Sequence, residues 1–212
     1  MHKQKKIDWY FDFISPFSYL QFERFPDLPT GVDCRLKPVL LAGLLKHWES
    51  KGPAEIATKR RFTYRYVLWL ARRHGITLRM PPEHPFNPLP ALRLAIVLDC
   101  RPQAVRAIFR YFWHHGHSSD NPIAWMKLLE QLEVDNAEER LAFPSVKNTL
   151  RQNTEEAIRW GVFGVPTFRV DKELFWGFDA TQMLLDHLHH PQQFEDAEMV
   201  RVSNLPVGVQ RI

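Results

Sequence analysis

The stretch Ile7 to Leu20, IDWYFDFISPFSYL, constrains the chain more than any other. Ile7, Trp9, Phe11 and Phe13 alternate with Asp8, Tyr10 and Asp12, the period of two expected of a strand with one face in a core. Ser15-Pro16 then interrupts it. Serine is a good N-cap and proline suits the first helical position, so the strand should turn directly into a helix at Ser15. The first-turn amides of a helix have no partners within it, and they sit at the positive end of its dipole. Such a junction is a place to hold an anion.

At 212 residues the chain has room for one sizeable core, or for one domain carrying a large insertion. A net charge of +4 suits small anionic ligands but is too weak and dispersed to argue for nucleic acid. The basic start, MHKQKKIDWY, is not followed by an apolar run of signal-peptide length, and no stretch approaches the roughly 20 apolar residues that span a bilayer. The expectation is a cytoplasmic protein with no membrane partner. Cys34 and Cys100 form no CxxC pair, so neither a dithiol redox centre nor a zinc ribbon is available, and both read as small buried hydrophobes.

After Ser15 the pattern predicts a helix to Pro26, a turn at Asp27 to Gly31, and a second strand from Val32 to Val39, parallel to the first. From about Leu40 to Arg159 helical patterns dominate. They comprise a short helix at Leu40 to Leu45, a break at Ser50 to Pro53, a long helix from Ala54 to His74 stopped by Gly75, and an irregular stretch from Ile76 to Pro90. Further helices are expected at Ala91 to Asp99, Gln103 to His114, Pro122 to Leu132, Asn136 to Phe143 and Ser145 to Trp160. Tyr64, Tyr66, Trp69, Trp113 and Trp125 read as core and pocket wall, since no basic stripe accompanies them. Strand character returns in two runs, Thr167 to Val170 and Glu173 to Trp176, a hairpin around Asp171-Lys172. Asp179 then reads as the cap of a helix from Ala180 to His189, and the tail, ending MVRVSNLPVGVQRI, reads as polar and then strand-like.

The order βαβ, helices, ββα resembles a thioredoxin-like α/β fold with a large all-helical insertion. The expected division is residues 1–40 and 160–190 for the thioredoxin-like part, 41–159 for the insertion and 191–212 for a tail. In such a fold the proline ahead of the third strand, here Pro166, is cis and faces the first helix's N-terminus. FDFISPFSYL, GVFGVPTFRV and LFWGFDATQML, in that order, resemble the signature segments of the 2-hydroxychromene-2-carboxylate isomerase family. That family is a close relative of kappa-class glutathione transferases, within the DsbA-like branch of the thioredoxin fold.

The resemblance implies a bound glutathione and assigns residues to it. Ser15 matches the catalytic serine whose hydroxyl, with the helix N-terminus, favours the glutathione thiolate. Val165, ahead of Pro166, matches the residue whose backbone pairs with the cysteinyl part, as an added strand would. Asp179 matches the carboxylate that receives the γ-glutamyl ammonium, and Phe178 offers its amide to the γ-glutamyl carboxylate. Lys59 sits where kappa-class enzymes carry a lysine near the glycyl carboxylate, and Ser50 where that class has an asparagine. Phe17 and Asn87 are candidates for a second-substrate pocket. The implied activity is isomerisation of an aromatic or unsaturated acid, the alternatives being a glutathione transferase or a non-catalytic binder of glutathione or a peptide. The resemblance also implies a homodimer. The SPFS segment lacks both sulfurs of a thiol–disulfide oxidoreductase. Two histidine groups, WHHGHSS and DHLHHP, lack a carboxylate or cysteine at ligand spacing and fall at expected helix C-termini, so no metal site is expected.

Overall fold

A computed structural model of the chain describes residues 5–209. The first four residues of the basic start and the last three of the tail lie outside these described residues. Four strands form one mixed sheet in the order β2-β1-β3-β4. β1 (Lys5–Phe11) leads into α1 (Pro16–Glu23) and returns through β2 (Val32–Pro38), parallel to β1, with Trp9 beside Leu36. The helices α2 (Leu41–His47), α3 (Ala57–Arg73), α4 (Leu89–Val97), α5 (Pro102–Trp113), α6 (Pro122–Gln131), α7 (Ala137–Ala142) and α8 (Pro144–Arg159) follow. β3 (Thr167–Val170) and β4 (Glu173–Trp176) then form the hairpin, β3 antiparallel to β1 with Tyr10 opposite Thr167. α9 (Thr181–His189) and α10 (Ala197–Val202) close the described chain. The fold is thioredoxin-like with a large helical insertion.

The alternation in β1 separates two buried faces rather than one buried and one wet. Ile7, Trp9 and Phe11 enter the main core with Phe168 and Val170 of β3. Tyr10, on the opposite face, packs with Val39, Leu44, Ala157 and Val165 under α2 and α8. Asp8 shares Tyr10's face and is fully buried, which its cations permit. Arg35 reaches one carboxylate oxygen at 2.7 Å and Arg169 the other. Arg169 also lies 4.1 Å over the Trp160 ring. Glu156 of α8 accepts hydrogen bonds from Lys37 at 2.7 Å and Tyr10 at 3.2 Å, which fastens α8 across this face.

The main core is aromatic and joins the sheet to the inserted helices. Phe109 of α5 lies within about 6 Å, centroid to centroid, of the Trp9, Phe11, Phe13 and Phe22 rings. One ring therefore meets strand, junction and first helix together.

Several expectations are corrected. Trp69 of α3 is not core. It is 51% exposed and stacks on Tyr66, against which Phe62, 68% exposed, also stacks. Cys34 and Cys100 are partly rather than fully buried. The tail is helical at residues 197–202, not strand-like, because Asp196 accepts hydrogen bonds from the Glu198 and Met199 amides and Glu198 pairs with Arg201. Asp179 does not cap α9. The N-cap is Ala180 without a side-chain bond, and Phe178 carbonyl instead accepts from the Thr181 amide and hydroxyl.

Phe109→Ala should empty the space between three elements at once. The expected loss is about 3–5 kcal/mol, read as a lower urea midpoint with an unchanged denaturant slope.

Candidate active site

The junction after β1 is held from four directions. Ser15 is extended (φ −93°, ψ 114°), its carbonyl accepts the first helical bond from the Tyr19 amide, and Pro16 follows at the first helical position. Upstream, the Ser15 amide closes a turn on the Asp12 carbonyl at 3.1 Å. The indole of Trp113 donates to the Phe13 carbonyl at 2.8 Å. His84 Nε2 donates to the Ile14 carbonyl at 2.8 Å. That bond makes Nε2 the donor, because a carbonyl only accepts, while the Tyr64 hydroxyl donates to the His84 carbonyl at 2.8 Å and lies 2.7 Å from Nδ1. Burial lowers the His84 pKa, with the Ile14 bond opposing it.

Asp12 is the fourth hold. It is fully buried and its carboxylate accepts from the Ile14 amide at 3.1 Å and from the Leu41 amide at 2.9 Å. Leu41 opens α2, whose own N-cap, Leu40, has no side-chain acceptor. Asp12 therefore caps α2 from another element. Desolvation outweighs these hydrogen bonds and raises its pKa to about 7.

The Ser15 hydroxyl has a defined polarity. It is 6% exposed, and its oxygen accepts from the Ser18 amide at 3.2 Å. Its proton has no acceptor among the described residues, and the first turn of α1 carries no acidic side chain. An anion arriving at this cap meets one hydroxyl donor and the positive end of a helix.

Val165 and Pro166 sit beside this junction. The β1–β3 register, carried one residue beyond Tyr10 and Thr167, sets Pro166 next to Phe11, and the Val165–Pro166 peptide is cis. Val165 is buried, yet neither its N–H nor its carbonyl has a hydrogen-bond partner among the described residues. Unpaired buried backbone beside an anion site is what an extended peptide ligand would complete. The approach is close: a Cβ on Gly164 would stand 2.6 Å from Trp176 Nε1, so any larger residue must displace that exposed indole.

Phe178 and Asp179 follow β4 and are drawn in by Gln21, on the buried side of α1. Gln21 accepts from the Trp9 indole at 2.7 Å and donates to the Gly177 carbonyl at 2.9 Å and to Thr181 Oγ1 at 3.0 Å. Gly177 donates to the Pro166 carbonyl at 2.9 Å and has a φ of +94°, a conformation glycine tolerates. The Phe178 amide has no partner among the described residues, and the exposed Asp179 carboxylate has none either. Both residues line a cleft of about 240 Å³ that continues to Arg24, Tyr66 and His74.

The remaining candidates lie farther out. Ser50, exposed just beyond α2, uses its amide to donate to the Leu45 carbonyl at 3.0 Å and follows Trp48, whose indole donates to the Val162 carbonyl at 3.0 Å. Lys59 is exposed in the first turn of α3 and has no ion-pair partner among the described residues. Phe17 is half-buried against Tyr66. Asn87 uses its side-chain oxygen to accept from the Leu89 amide at the start of α4. Among the described residues no group of three or more His, Cys, Asp or Glu is placed to hold a metal ion, and no helix is long and apolar enough to cross a membrane. Both cysteines lie outside this junction and burial raises both thiols, Cys100 to about 12.

A family model of the DSBA-like thioredoxin domain matches residues 6–189. The chain belongs to that family. Among curated proteins it is similar to glutathione S-transferase kappa 2 of Caenorhabditis elegans, at 27% identity over 90% of this chain and 95% of that one. It is equally similar to a 2-hydroxychromene-2-carboxylate isomerase of Sphingobium xenophagum, at 28% identity over 87% and 98%. A solved structure of 2-hydroxychromene-2-carboxylate isomerase superposes with a TM-score of 0.78 at 25% identity, covering 92% of this chain and 98% of that one.

Sequence reasoning missed Asp12, Gln21 and His84. Asp12 looked like the polar half of an alternating strand, and only its place one turn before Ser15-Pro16 hinted at more. Its titration is testable. Unfolded, an aspartate titrates near about 4; folded, Asp12 does so at about 7. The folded chain holds this proton more tightly, so the group's contribution is fully present below about pH 4 and lost as pH rises to about 7. The stability of wild type minus that of Asp12→Asn should therefore fall between those values in urea titrations at stepped pH. A difference that grows with pH would reverse the assignment.

Proposed function

We propose that this chain is a glutathione-dependent enzyme that isomerises an aromatic or unsaturated acid, with Ser15 as its catalytic residue. The observation carrying this reading is the Ser15 hydroxyl, which accepts from Ser18 and keeps its proton for an anion, in a chain of this fold with no thiol at the junction. Bound glutathione would supply a thiolate that adds reversibly to an electrophilic carbon of the substrate, permits rotation about the adjacent bond and leaves. Ser15 donates to that sulfur while the N-terminus of α1 favours its charge. Val165 offers its unpaired backbone to the cysteinyl peptide unit beside Pro166. Asp179 takes the γ-glutamyl ammonium and the Phe178 amide the γ-glutamyl carboxylate. Lys59, with Ser50, receives the glycyl carboxylate, while Phe17 and Asn87 border the second substrate. A thioredoxin-like part of residues 1–40 and 160–190 around an insertion of 41–159, a cytoplasmic location and a homodimer belong to the same proposal.

The second reading, a transferase that releases the adduct, has the same support at the site and is favoured by the kappa-class relatives. Product analysis separates the two, since an isomerase regenerates free glutathione and a transferase consumes it in proportion to product.

Ser15→Ala tests the shared step. A hydrogen bond to a charged group contributes about 1.5–3 kcal/mol, so the bound thiol's apparent pKa should rise by roughly 1–2 units. Thiolate absorbance at neutral pH should fall while calorimetry still detects glutathione binding. No heat from wild type at millimolar glutathione would end the proposal.

A further inference from the structure

A second cleft, of about 260 Å³, opens between α4 and α8, and neither Ser15 nor any residue assigned to glutathione above lines it. Its apolar surface comes from Leu40, Leu89 and Leu150. Its rim is cationic, with Arg93 from α4 and Lys147 and Arg151 from α8. Lys147 and Arg151 are four residues apart and so share one face of α8. The single carboxylate, Glu155, is engaged by Arg151 at 3.2 Å.

Of the cleft's polar side chains Thr154 and the Glu155–Arg151 pair are engaged, while Lys147 and Arg93 have no partner among the described residues. Thr154 accepts from the Leu40 amide at 3.0 Å and donates to the Leu150 carbonyl at 2.9 Å, so its hydroxyl is used up. Arg93 has no hydrogen-bond or ion-pair partner among the described residues, and its Nε is shut off from solvent without an acceptor. The shielded Nε is out of reach of a ligand, but the rest of the unpaired guanidinium lines the cleft, and a carboxylate is the group whose two oxygens fit its terminal nitrogens. A bare inorganic anion would satisfy the arginine but leave the leucines wet. An apolar neutral molecule would do the reverse.

We propose that this cleft binds a small amphipathic carboxylate, with its acid on Arg93 and its apolar body against Leu40, Leu89 and Leu150. The volume falls just under the usual range of small-molecule pockets, about 300–1,000 Å³, which limits the body to a single ring or a short chain. The site is separate from the Ser15 junction and its occupation does not depend on glutathione.

The test is calorimetry of the full chain with benzoate and with hexanoate, and with benzyl alcohol and sulfate as half-matched probes. The expected result is that at least one acid binds, both half-matched probes bind about tenfold more weakly, and saturating glutathione leaves the acid's affinity unchanged. Arg93→Gln should weaken the acid about tenfold, and Leu89→Trp, which fills the cleft and keeps every charge, should abolish binding. If Arg93→Gln does not fold, Lys147→Gln with Arg151→Gln replaces it and should weaken the acid but not benzyl alcohol. Absence of binding by both acids up to about 10 mM overturns the proposal. Equal binding of acid and alcohol, displacement by glutathione, or indifference to Leu89→Trp does so as well.

Discussion

The buried carboxylate of Asp12 is the contact on which the arrangement of this protein depends. It bonds the amide of Ile14, one residue before Ser15, and the amide of Leu41, the first residue of α2. The end of the central strand, the start of the first helix and the start of the insertion therefore meet on one side chain. Trp113 and His84, on α5 and on the loop before α4, hold the next two carbonyls of the same turn. The inserted helices thus reach back to fix the backbone that presents Ser15. The aromatic core does the same with apolar surface, since Phe109 packs on Phe13 within that turn.

This construction sets the electrostatics of the junction. Among the described residues no Lys or Arg hydrogen-bonds to the Phe13–Ser15 turn, burial disfavours charge on His84, and Asp12 is driven toward neutrality by its burial. What remains is oriented dipoles: the amides of the first turn of α1 and one serine hydroxyl. Dipoles held rigid in a dry setting stabilise charge without reorganising. A neutral, fixed cap suits an anion that must also leave, where a lysine at the same place would hold it more tightly.

How much of this was legible in the sequence follows the range of each interaction. Ser15-Pro16 is a local signal, and the cap lies where the residues put it. The two strands flanking Asp171-Lys172 were readable for the same reason. Asp12 and Leu41 are 29 positions apart, and Gln21 meets Gly177 and Thr181 across more than 150, so their bonds leave no local pattern. Asp179 shows the limit from the other side. A helix-capping residue stands just before a helix, but the backbone starts α9 one residue later and Thr181 turns its hydroxyl back on Phe178. The carboxylate is left exposed with no partner among the described residues. Trp69 misled through composition, because an aromatic side chain on a helix reads as core whichever face it occupies.

Serine at position 15 also carries a consequence for sulfur chemistry. A cysteine capping a helix is activated as a thiolate by the same amides that surround Ser15. The two cysteines this chain does have are treated in the opposite sense. Burial raises both thiols, and both pack against the apolar core away from the Ser15 cap. The environment suited to a thiolate and the sulfur atoms of the chain are in different places. On the proposed reading the separation is functional. A resident thiolate would be free to form disulfides at the junction, whereas a hydroxyl that accepts from Ser18 can only donate to whatever anion the unpaired backbone of Val165 helps to position.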